Sequence, residues 1–329
     1  MFQVSSMKQT DFRHFLAAIP RLSSQQTAFL VNKLTDPCSD ILAKLASDID
    51  KHHQCVLCHS DKIKKNGKIN QRQRYKCHTC GKTFMCTRGS AFFYQHKSEL
   101  WQDYLETMNA GNTLRSSAKK LGISLTSAFK WRHRYMASTA DEYYLSEQNH
   151  KLEGIVEADE TFFRYSEKGT KQLTGSPRKR GTKASTRGIN KNDWVTVLVA
   201  MDRNKHEFDH ILTGVNTAQI EQFLAPKLSK DVTLCTDGSP VYPAFCQHQH
   251  LNHVVLNDQR VLQHCFHIQN VNNYHQQIKD KYRRMRGVAS KYLERYLGWF
   301  RMLHWHKYQQ IENPLDFKLL ALQHHKCFT

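Results

Sequence analysis

The sequence predicts an α+β protein of several domains, with a larger α/β core in its second half. Two observations support this class. Two Cys-x-x-Cys pairs lie in a β-rich stretch within residues 52–90, and from Gly154 onward strands alternate with helices. We therefore predict an N-terminal helical segment (residues 1–50), a cysteine-bearing module (51–92), a helical domain (95–140) and the α/β core (150–329).

The composition indicates a folded protein with a polyanionic partner. Of the 329 residues, 40% are apolar, which is enough for a packed core. The 48 Lys and Arg residues exceed the 29 Asp and Glu residues, so the formal net charge is +19. Such an excess causes self-repulsion in a compact state and is typical of proteins that bind nucleic acid. The alternative is a basic protein without such a partner, and the position of the charges decides between them.

No segment of the sequence predicts export or membrane insertion. The N-terminus lacks the apolar stretch and cleavage site of a signal peptide. The longest apolar run, Val195–Met201, is too short to span a bilayer. Ten cysteines without an export signal favour a reducing compartment, where thiols bind metal rather than pair. We therefore expect a cytoplasmic protein with no membrane partner.

Residues 1–50 carry apolar side chains at helical spacing, interrupted at Pro20 and Pro37. This pattern predicts two or three short helices and indicates no chemistry. The apolar positions are Phe12, Phe15, Leu16, Ile19, Phe29, Leu30 and Leu34.

Four cysteines predict a structural zinc site. Cys55 and Cys58 form one pair and Cys77 and Cys80 the other, with 18 residues between the pairs. Each pair places two thiolates on one tight turn, and two such turns complete a tetrahedron around one Zn²⁺ ion. Because four protein ligands leave no open position for water, the ion is expected to be structural. We interpret the other cysteines as packed thiols: Cys38, Cys86, Cys235, Cys246, Cys265 and Cys327.

A basic hairpin is predicted between the two cysteine pairs. Asn66-Gly67 is a strong two-residue turn signal, with Lys62–Lys65 and Lys68–Tyr75 as the arms. The module is therefore predicted to be a zinc ribbon. From Lys62 to Arg88 there are nine Lys or Arg residues and no Asp or Glu. On a hairpin held by metal, such a run favours contact with phosphates over a merely solvated surface.

The segment Thr113–Arg134 has the pattern of a helix-turn-helix. Ala118 is small where the two helices would cross, and Gly122 lies at the turn, where a positive φ is needed. Ser124 can cap a second helix, which is predicted from about Leu125 to Tyr135. A basic helix that begins with short polar residues fits the major groove of DNA, whereas a generic helical hairpin is the alternative. The predicted DNA-binding residues, all expected to be exposed, are Thr126, Ser127, Lys130, Arg132 and Arg134.

The order of elements after residue 150 predicts a ribonuclease H-like core. Three successive antiparallel strands precede a helix, a strand, a helix, a strand and a long helix. The predicted strands are Gly154–Tyr165, Asp193–Asn204, His206–Gly214, Asp231–Asp237 and His253–Asn257. The predicted helices are Thr217–Leu228, Pro240–Gln247 and a long helix from about His267, and the joint to the preceding domain is predicted at Ala137–Gln148.

Two acidic side chains lie in predicted strands of this core, where burying a carboxylate costs free energy. Asp159 lies within the first strand and Asp237 ends the fourth. An acidic side chain in an apolar strand needs a partner or a bound metal. Two such carboxylates on neighbouring strands can ligate a pair of Mg²⁺ ions, about 3.5–4 Å apart, for phosphoryl displacement. Glu157 and Glu160 are competing ligands: by strand periodicity Glu157 shares the face of Asp159, and Glu160 points to the opposite face.

Taken together, these segments resemble bacterial insertion-sequence transposases. Such proteins combine an N-terminal zinc ribbon, a helix-turn-helix and a catalytic core of the Asp-Asp-Glu/Asn class. The resemblance covers roughly residues 50–305. It rests on four runs, Gln73–Phe84, Thr126–Arg134, Gly154–Thr161 and His267–Lys279.

The resemblance implies further residue roles. The third metal ligand of the family matches Asn272, which follows Asp237 by 35 positions. The helical lysine of the family matches Lys279, two turns further on the same helix face. The resemblance thus implies that Asp159, Asp237 and Asn272 hold two Mg²⁺ or Mn²⁺ ions and that Lys279 holds DNA phosphate. Many relatives carry Glu at the third position; an amide oxygen can ligate Mg²⁺ but brings no charge.

Two further basic runs flank this centre. Arg178, Lys179, Arg180 and Lys183 lie between the first two core strands and are predicted to form a mobile loop over DNA. The run Lys279–Arg295 carries seven Lys or Arg residues against two acidic ones. Both would line the path of the DNA backbone, making affinity steeply salt-dependent. By contrast, four aromatic residues are predicted to pack in the core: Tyr292, Tyr296, Trp299 and Phe300.

These features predict a DNA transposase, located in the bacterial cytoplasm at the nucleoid. Its zinc ribbon and helix-turn-helix would hold terminal inverted repeats. The core would hydrolyse the element end and pass the freed 3′-hydroxyl to target DNA. Because two ends must be joined, a homodimer or larger assembly is expected on double-stranded DNA. Two alternatives stay open: a catalytically inactive regulator descended from a transposase, for which Asn272 leaves room, and a structure-specific nuclease on the same fold.

Overall fold

The computed structural model describes residues 45–47, 49–69, 72–88, 90–93, 97–147, 151–173, 193–256 and 265–308, together with positions 17, 20 and 23. The chain divides into two compact units, one of residues 1–88 and 95–102 and the other of residues 89–94 and 103–329. The predicted N-terminal helices lie almost entirely outside the described residues, although residues 45–47 and 49–52 are helical. The predicted basic loop at Arg178–Lys183 also lies outside them. None of the described helices is long and apolar enough to cross a membrane.

The first unit contains a small antiparallel sheet. Its strands are β1 (Ile63–Ile69), β2 (Arg72–Cys77) and β3 (Thr83–Met85), in the order β1-β2-β3. Tyr75 on β2 is buried and stacks on Phe84 of β3, with 5.6 Å between ring centroids. The Tyr75 hydroxyl donates to a carboxylate oxygen of Asp50 at 3.0 Å. This contact joins the sheet to the helical residues that precede it.

The predicted hairpin turn at Asn66-Gly67 is wrong. Both residues lie inside β1, where Lys65 pairs with Tyr75 and Lys68 pairs with Gln73. An interval of three residues on β1 therefore pairs with an interval of two residues on β2, so β1 carries one extra residue, which defines a β-bulge. Gly67 has φ +73°, a conformation that serves a bulge as well as a tight turn. The strands instead connect through residues 70–71, which lie outside the described residues.

Between residues 97 and 147 the structure describes three α-helices: α1 (Trp101–Asn109), α2 (Leu114–Leu121) and α3 (Leu125–Glu147). The predicted local signals are present. Gly122 ends α2 with φ +60°, and the Ser124 hydroxyl accepts the backbone N–H of Ser127 at 3.0 Å. The second helix is longer than predicted and includes most of the segment interpreted as a joint. It has no internal Gly or Pro to end it.

The second unit contains a five-stranded sheet in the order β6-β5-β4-β7-β8. Its first three strands in the chain pair antiparallel, and β7 and β8 extend it in parallel from β4. This is the predicted ribonuclease H-like arrangement. The strands are β4 (Ile155–Arg164), β5 (Trp194–Asp202), β6 (Glu207–Leu212), β7 (Thr233–Thr236) and β8 (Asn252–Val255). The helices are α4 (Thr217–Leu224), α5 (Val241–Gln249), α6 (Gln269–Arg284) and α7 (Leu293–Tyr308).

The two faces of the sheet are covered by different helices. Val156 and Ala158 of β4 belong to the apolar core that contains Ile220 of α4 and Phe245 of α5. The alternate β4 positions face the other side, where α6 packs on β4 and α7 on β6. Alternate side chains of β4 thus point to opposite faces of the sheet, one toward the apolar core and the other toward α6.

Most of the side chains expected to be packed are buried. The aromatic residues Tyr296, Trp299 and Phe300 of α7 are buried as predicted. Among the spare cysteines, Cys265 is exposed, contrary to the prediction, because it lies in the turn before α6. The buried ones are Cys86, Cys235 and Cys246.

Candidate active site

The sheet places Asp159 and Asp237 side by side. Strand β4 pairs in parallel with β7, and Ala158 lies opposite Thr236. Asp159 and Asp237 are the next residues along the two strands, at the point where β7 ends. One Asp237 carboxylate oxygen accepts the backbone N–H of Ser239 at 3.0 Å, which orients that side chain.

Burial and the neighbouring acidic charge make Asp159 costly to ionise. Burial raises the pKa of Asp159 to about 6, and the negative charge of Asp237 adds to the rise. The positive charge of Lys279 acts in the opposite direction on the same group. The pKa of Glu160 is raised to about 7, first by its burial, while the hydrogen bond from Tyr242 opposes the rise and the neighbouring aspartates add to it.

Helix α6 carries a polar face beside Asp159. Asn272 is half-buried in the first turn, His275 follows one turn later, and Lys279 one turn after that. The His275 Nδ1 atom lies 3.8 Å from a carboxylate oxygen of Asp159. Burial, and then the charge of Lys279, lower the pKa of His275 to about 3, so its ring is neutral. The sequence interpretation missed His275, although its spacing of three and four residues from Asn272 and Lys279 marks the same helix face.

Glu157 is not a free competitor for metal, because its oxygens are already occupied. Its side chain is buried and accepts the backbone N–H groups of Asn270 and Val271 at 2.8 and 3.0 Å. It also forms an ion pair with Arg203. A carboxylate that accepts the free N–H groups of a helix stabilises that helix start. Glu157 therefore anchors the first turn of α6, the turn that contains Asn272.

Glu160 lies on the opposite side of β4 from Glu157, as strand periodicity predicts. The Tyr242 hydroxyl on α5 donates a hydrogen bond to the Glu160 carboxylate. This bond holds the carboxyl group on the α5 side of the sheet, within electrostatic range of both aspartates.

The acidic pair fits a divalent cation. Two half-buried carboxylates lie next to each other, and the cost of ionising Asp159 falls when a positive charge is near. Carboxylate and amide oxygens are the ligands that Mg²⁺ and Mn²⁺ prefer. Asp159 and Asp237 supply the negative charge, and Asn272 is placed on the helix that faces them.

Replacing Asp159 with asparagine is expected to stabilise the protein in buffer without Mg²⁺ or Mn²⁺. Because the folded-state pKa is about 6 rather than 3.8, ionisation destabilises the fold increasingly as pH rises from about 4 to above 6. At pH 7.5 the variant should therefore melt about 2–5 °C higher than the unmodified protein, and the gap should narrow at pH 5. Differential scanning fluorimetry measures both. Added Mn²⁺ should raise the melting temperature of the unmodified protein only; an equal rise in the variant would contradict a site at Asp159.

The four predicted zinc ligands converge in the first unit. The sulfur atoms of Cys55, Cys58, Cys77 and Cys80 all lie within 4.8 Å of one another. Two of the separations are 3.9 Å (Cys55–Cys80) and 3.6 Å (Cys58–Cys77). A tetrahedron with Zn–S bonds of about 2.3 Å has sulfur separations of about 3.8 Å. The backbone N–H of Cys80 lowers the pKa of Cys77 to about 6, which favours a thiolate there. The geometry fits one Zn²⁺ ion.

The second helix of the predicted DNA-binding pair does not expose every basic residue. Arg132 is only 1% exposed, and its guanidinium donates to the Asn112 carbonyl at 2.7 Å. Arg134 is half-buried and donates to the Phe93 carbonyl. Both side chains bind backbone carbonyls, so their predicted exposure is wrong. The remaining candidates on the outer face are Thr126, Ser127 and Lys130, of which Ser127 is half-buried.

The sheet order and the adjacent acidic pair define the core as a ribonuclease H-like domain. Residues 151–301 match the family model of the ISXO2-like transposase domain. The match assigns this domain, a little under half of the chain, to the ISXO2-like transposase family.

Several solved structures are similar at low identity. A pre-cleavage Mos1 transpososome is 16% identical, with a TM-score of 0.30 over 70% of this chain and 79% of that chain. The Mos1 strand transfer complex is 16% identical, with a TM-score of 0.28 over 70% and 78%. A simian T-cell lymphotropic virus intasome in complex with PP2A regulatory subunit B56 gamma is 12% identical, with a TM-score of 0.29 over 62% and 67%. No curated protein matches the chain.

Proposed function

We propose that this protein is a DNA transposase that cleaves the ends of its own insertion sequence and joins them to target DNA. In this proposal Asp159, Asp237 and Asn272 hold two Mg²⁺ or Mn²⁺ ions. The observation that supports it most is the placement of two half-buried carboxylates on neighbouring parallel strands, with the pKa of Asp159 raised to about 6. Such a pair is costly in the absence of a cation, and hard divalent ions are the partners that carboxylates suit.

Each residue of the site has a distinct part in this proposal. Asp159, Asp237 and Asn272 would hold the divalent ions, which would supply charge stabilisation for an in-line phosphoryl displacement. Asn272 offers an uncharged oxygen, so the two aspartates supply the negative charge of the site. Lys279 brings a positive charge near Asp159 and would hold a phosphate of the element end. Glu157 holds the start of α6 and with it the position of Asn272.

DNA recognition is assigned to the modules before the core. Helices α2 and α3 would act as a helix-turn-helix, with Thr126, Ser127 and Lys130 toward the major groove. The zinc module would contribute phosphate contacts, because its residues 62–88 carry nine basic residues and no acidic one. The loop with Arg178, Lys179, Arg180 and Lys183 would add further backbone contacts. Two or more copies would assemble on a pair of element ends.

The test is strand transfer by purified protein. Labelled duplexes that carry the DNA flanking the coding region are incubated with an unlabelled target, in Mg²⁺ or Mn²⁺, beside the Asp237→Ala variant. Joined products with the unmodified protein and none with the variant are the expected result. Cleavage without joining would instead support a structure-specific nuclease, and binding without cleavage would support an inactive regulator. Equal joining by both proteins would remove Asp237 from the site.

A further inference from the structure

A cavity of about 660 Å³ lies in the second unit, away from the acidic pair. It is bounded by the first turns of α2 and α3 and by residues 285–289, which follow α6. We call it the α2–α3 cavity. Thr126, a proposed DNA contact, and the exposed Leu125 are among its lining residues. The cavity therefore opens where the helix proposed to read DNA begins.

All the charged side chains that line the α2–α3 cavity are basic. The lining includes four basic side chains and no acidic one: Arg115, Arg132, Lys168 and Arg286. Three of them are exposed, and the Lys168 ammonium donates to the Arg286 carbonyl at 2.9 Å, which holds its charge at the rim. Unopposed positive charges around a concave surface raise the local concentration of anions. The cavity is thus suited to a negatively charged ligand.

Arg132 shows that the charge extends into the interior. This side chain is 1% exposed, and its Nε atom has no hydrogen-bond partner. Its guanidinium contacts the Asn112 carbonyl, the sulfur of Met285 at 3.4 Å and the side chains of Tyr104 and Tyr296, all of them uncharged groups. Among the described residues Arg132 has no carboxylate partner. A buried guanidinium without a counter-ion is costly, and an anionic ligand would relieve that cost.

One wall of the α2–α3 cavity is aromatic. Phe129, His133 and Tyr292 pack together there, with ring centroids 4.2 Å apart for Phe129–His133 and 4.3 Å apart for His133–Tyr292. The His133 Nδ1 atom is buried and has no hydrogen-bond partner. An aromatic wall suits the face of a nucleobase. A free phosphate would use only a small part of the volume, which lies within the range of about 300–1,000 Å³ typical of small-molecule sites.

We propose that the α2–α3 cavity binds one unpaired nucleotide of the element end, its phosphate among the four cations and its base against the aromatic wall. The proposal rests on the proposed function, because it takes the DNA of the element as the source of the nucleotide. Extruding one nucleotide costs its stacking and pairing, and the contacts in the cavity offset that cost. The same contacts would fix the register of the element end relative to α3.

The experiment scans 2-aminopurine through the labelled element end, one position at a time, with the full-length protein. At one position the 2-aminopurine fluorescence is expected to change when the protein binds the DNA. The base at that position should also become reactive to a chemical probe of unstacked bases. A mismatch opposite that position should tighten binding at least ten-fold, because less pairing is lost on extrusion. The rim variant Lys168→Gln, Arg286→Asn should abolish the signal. Asn is chosen because Arg286 has φ +52°, which Asn tolerates.

The matched control is Lys171→Gln, an exposed basic residue of the same loop that does not line the cavity; its signal should be unchanged. Two results would overturn the cavity assignment and keep the proposed function. In the first, strand transfer occurs but no nucleotide becomes unstacked. In the second, a nucleotide becomes unstacked and remains so in the rim variant. Absence of strand transfer by the unmodified protein overturns the proposed function instead. If the protein binds free dATP in the absence of DNA, and the rim variant does not, the cavity is a site for a free nucleotide. That result would overturn the proposal that it binds a nucleotide of the element end.

Discussion

Replacing either Asp159 or Asp237 with asparagine is expected to lower cleavage and strand transfer by at least about 1,000-fold in Mg²⁺. The physical reason is that each amide removes one of the two negative charges proposed to hold the ions, and ion-assisted stabilisation of the transition state amounts to several kcal/mol. Binding of the element end should persist, because neither side chain belongs to the proposed DNA-reading modules. Gel shift and strand-transfer assays on the same preparations separate the two effects.

The control for these variants is Asp231→Asn. Asp231 is exposed and precedes β7, the strand that Asp237 follows, so it tests the loss of one acidic charge near the same strand. It should retain full strand transfer. A fall of the same size in Asp231→Asn, or retained activity in Asp159→Asn, would mean that the acidic pair does not hold the catalytic ions.

Replacing Cys77 with serine is expected to remove the zinc ion and unfold the small sheet of the first unit. Structural Zn²⁺ sites contribute roughly 10–16 kcal/mol to folding in small metal-binding peptides, far more than this three-stranded sheet could gain from its few buried side chains. The zinc content, measured by elemental analysis, should fall from one ion per chain to none. Affinity for the element end should fall with it, because the basic residues would no longer be held in one geometry.

Cys86→Ser is the matched control for the zinc variant. Cys86 is also buried in the first unit but lies outside the four-sulfur cluster. It should keep one zinc per chain. A Cys77→Ser protein that retained its zinc and its element-end affinity would disprove the structural site.

The fold of the core followed from local patterns. Strands and helices after residue 150 could be assigned because apolar residues repeat with a period of two or of three to four. Their order restricted the topology to few choices, since sequential strands tend to pair and parallel connections need a crossover. The length of α3 was underestimated, because no local signal distinguishes a helix that ends at Tyr135 from one that continues to Glu147.

The site was predictable only in part. The positions of Asp159 and Asp237 attracted attention because acidic residues in apolar strands are unusual, and the sheet places the two side by side. The contacts of Glu157 and His275 depend on how α6 docks on β4, a long-range packing that no local pattern encodes. Arg132 was expected in solvent because it lies among basic residues, yet it is buried, donates to the Asn112 carbonyl and lines the α2–α3 cavity.

The sequence by itself determined the kinds of modules, the four clustered cysteines and the two acidic positions of the core, because spacing and periodicity are local properties of the chain. Only the tertiary structure decided which polar groups are buried and which face one another. In the folded protein, Asn66-Gly67 lies in a bulge and Arg132 is buried. Glu157 accepts backbone N–H groups at the start of α6. The physical reason is that burial and electrostatic partners arise between segments far apart in the chain, where each polar group must find a partner or remain at a cost.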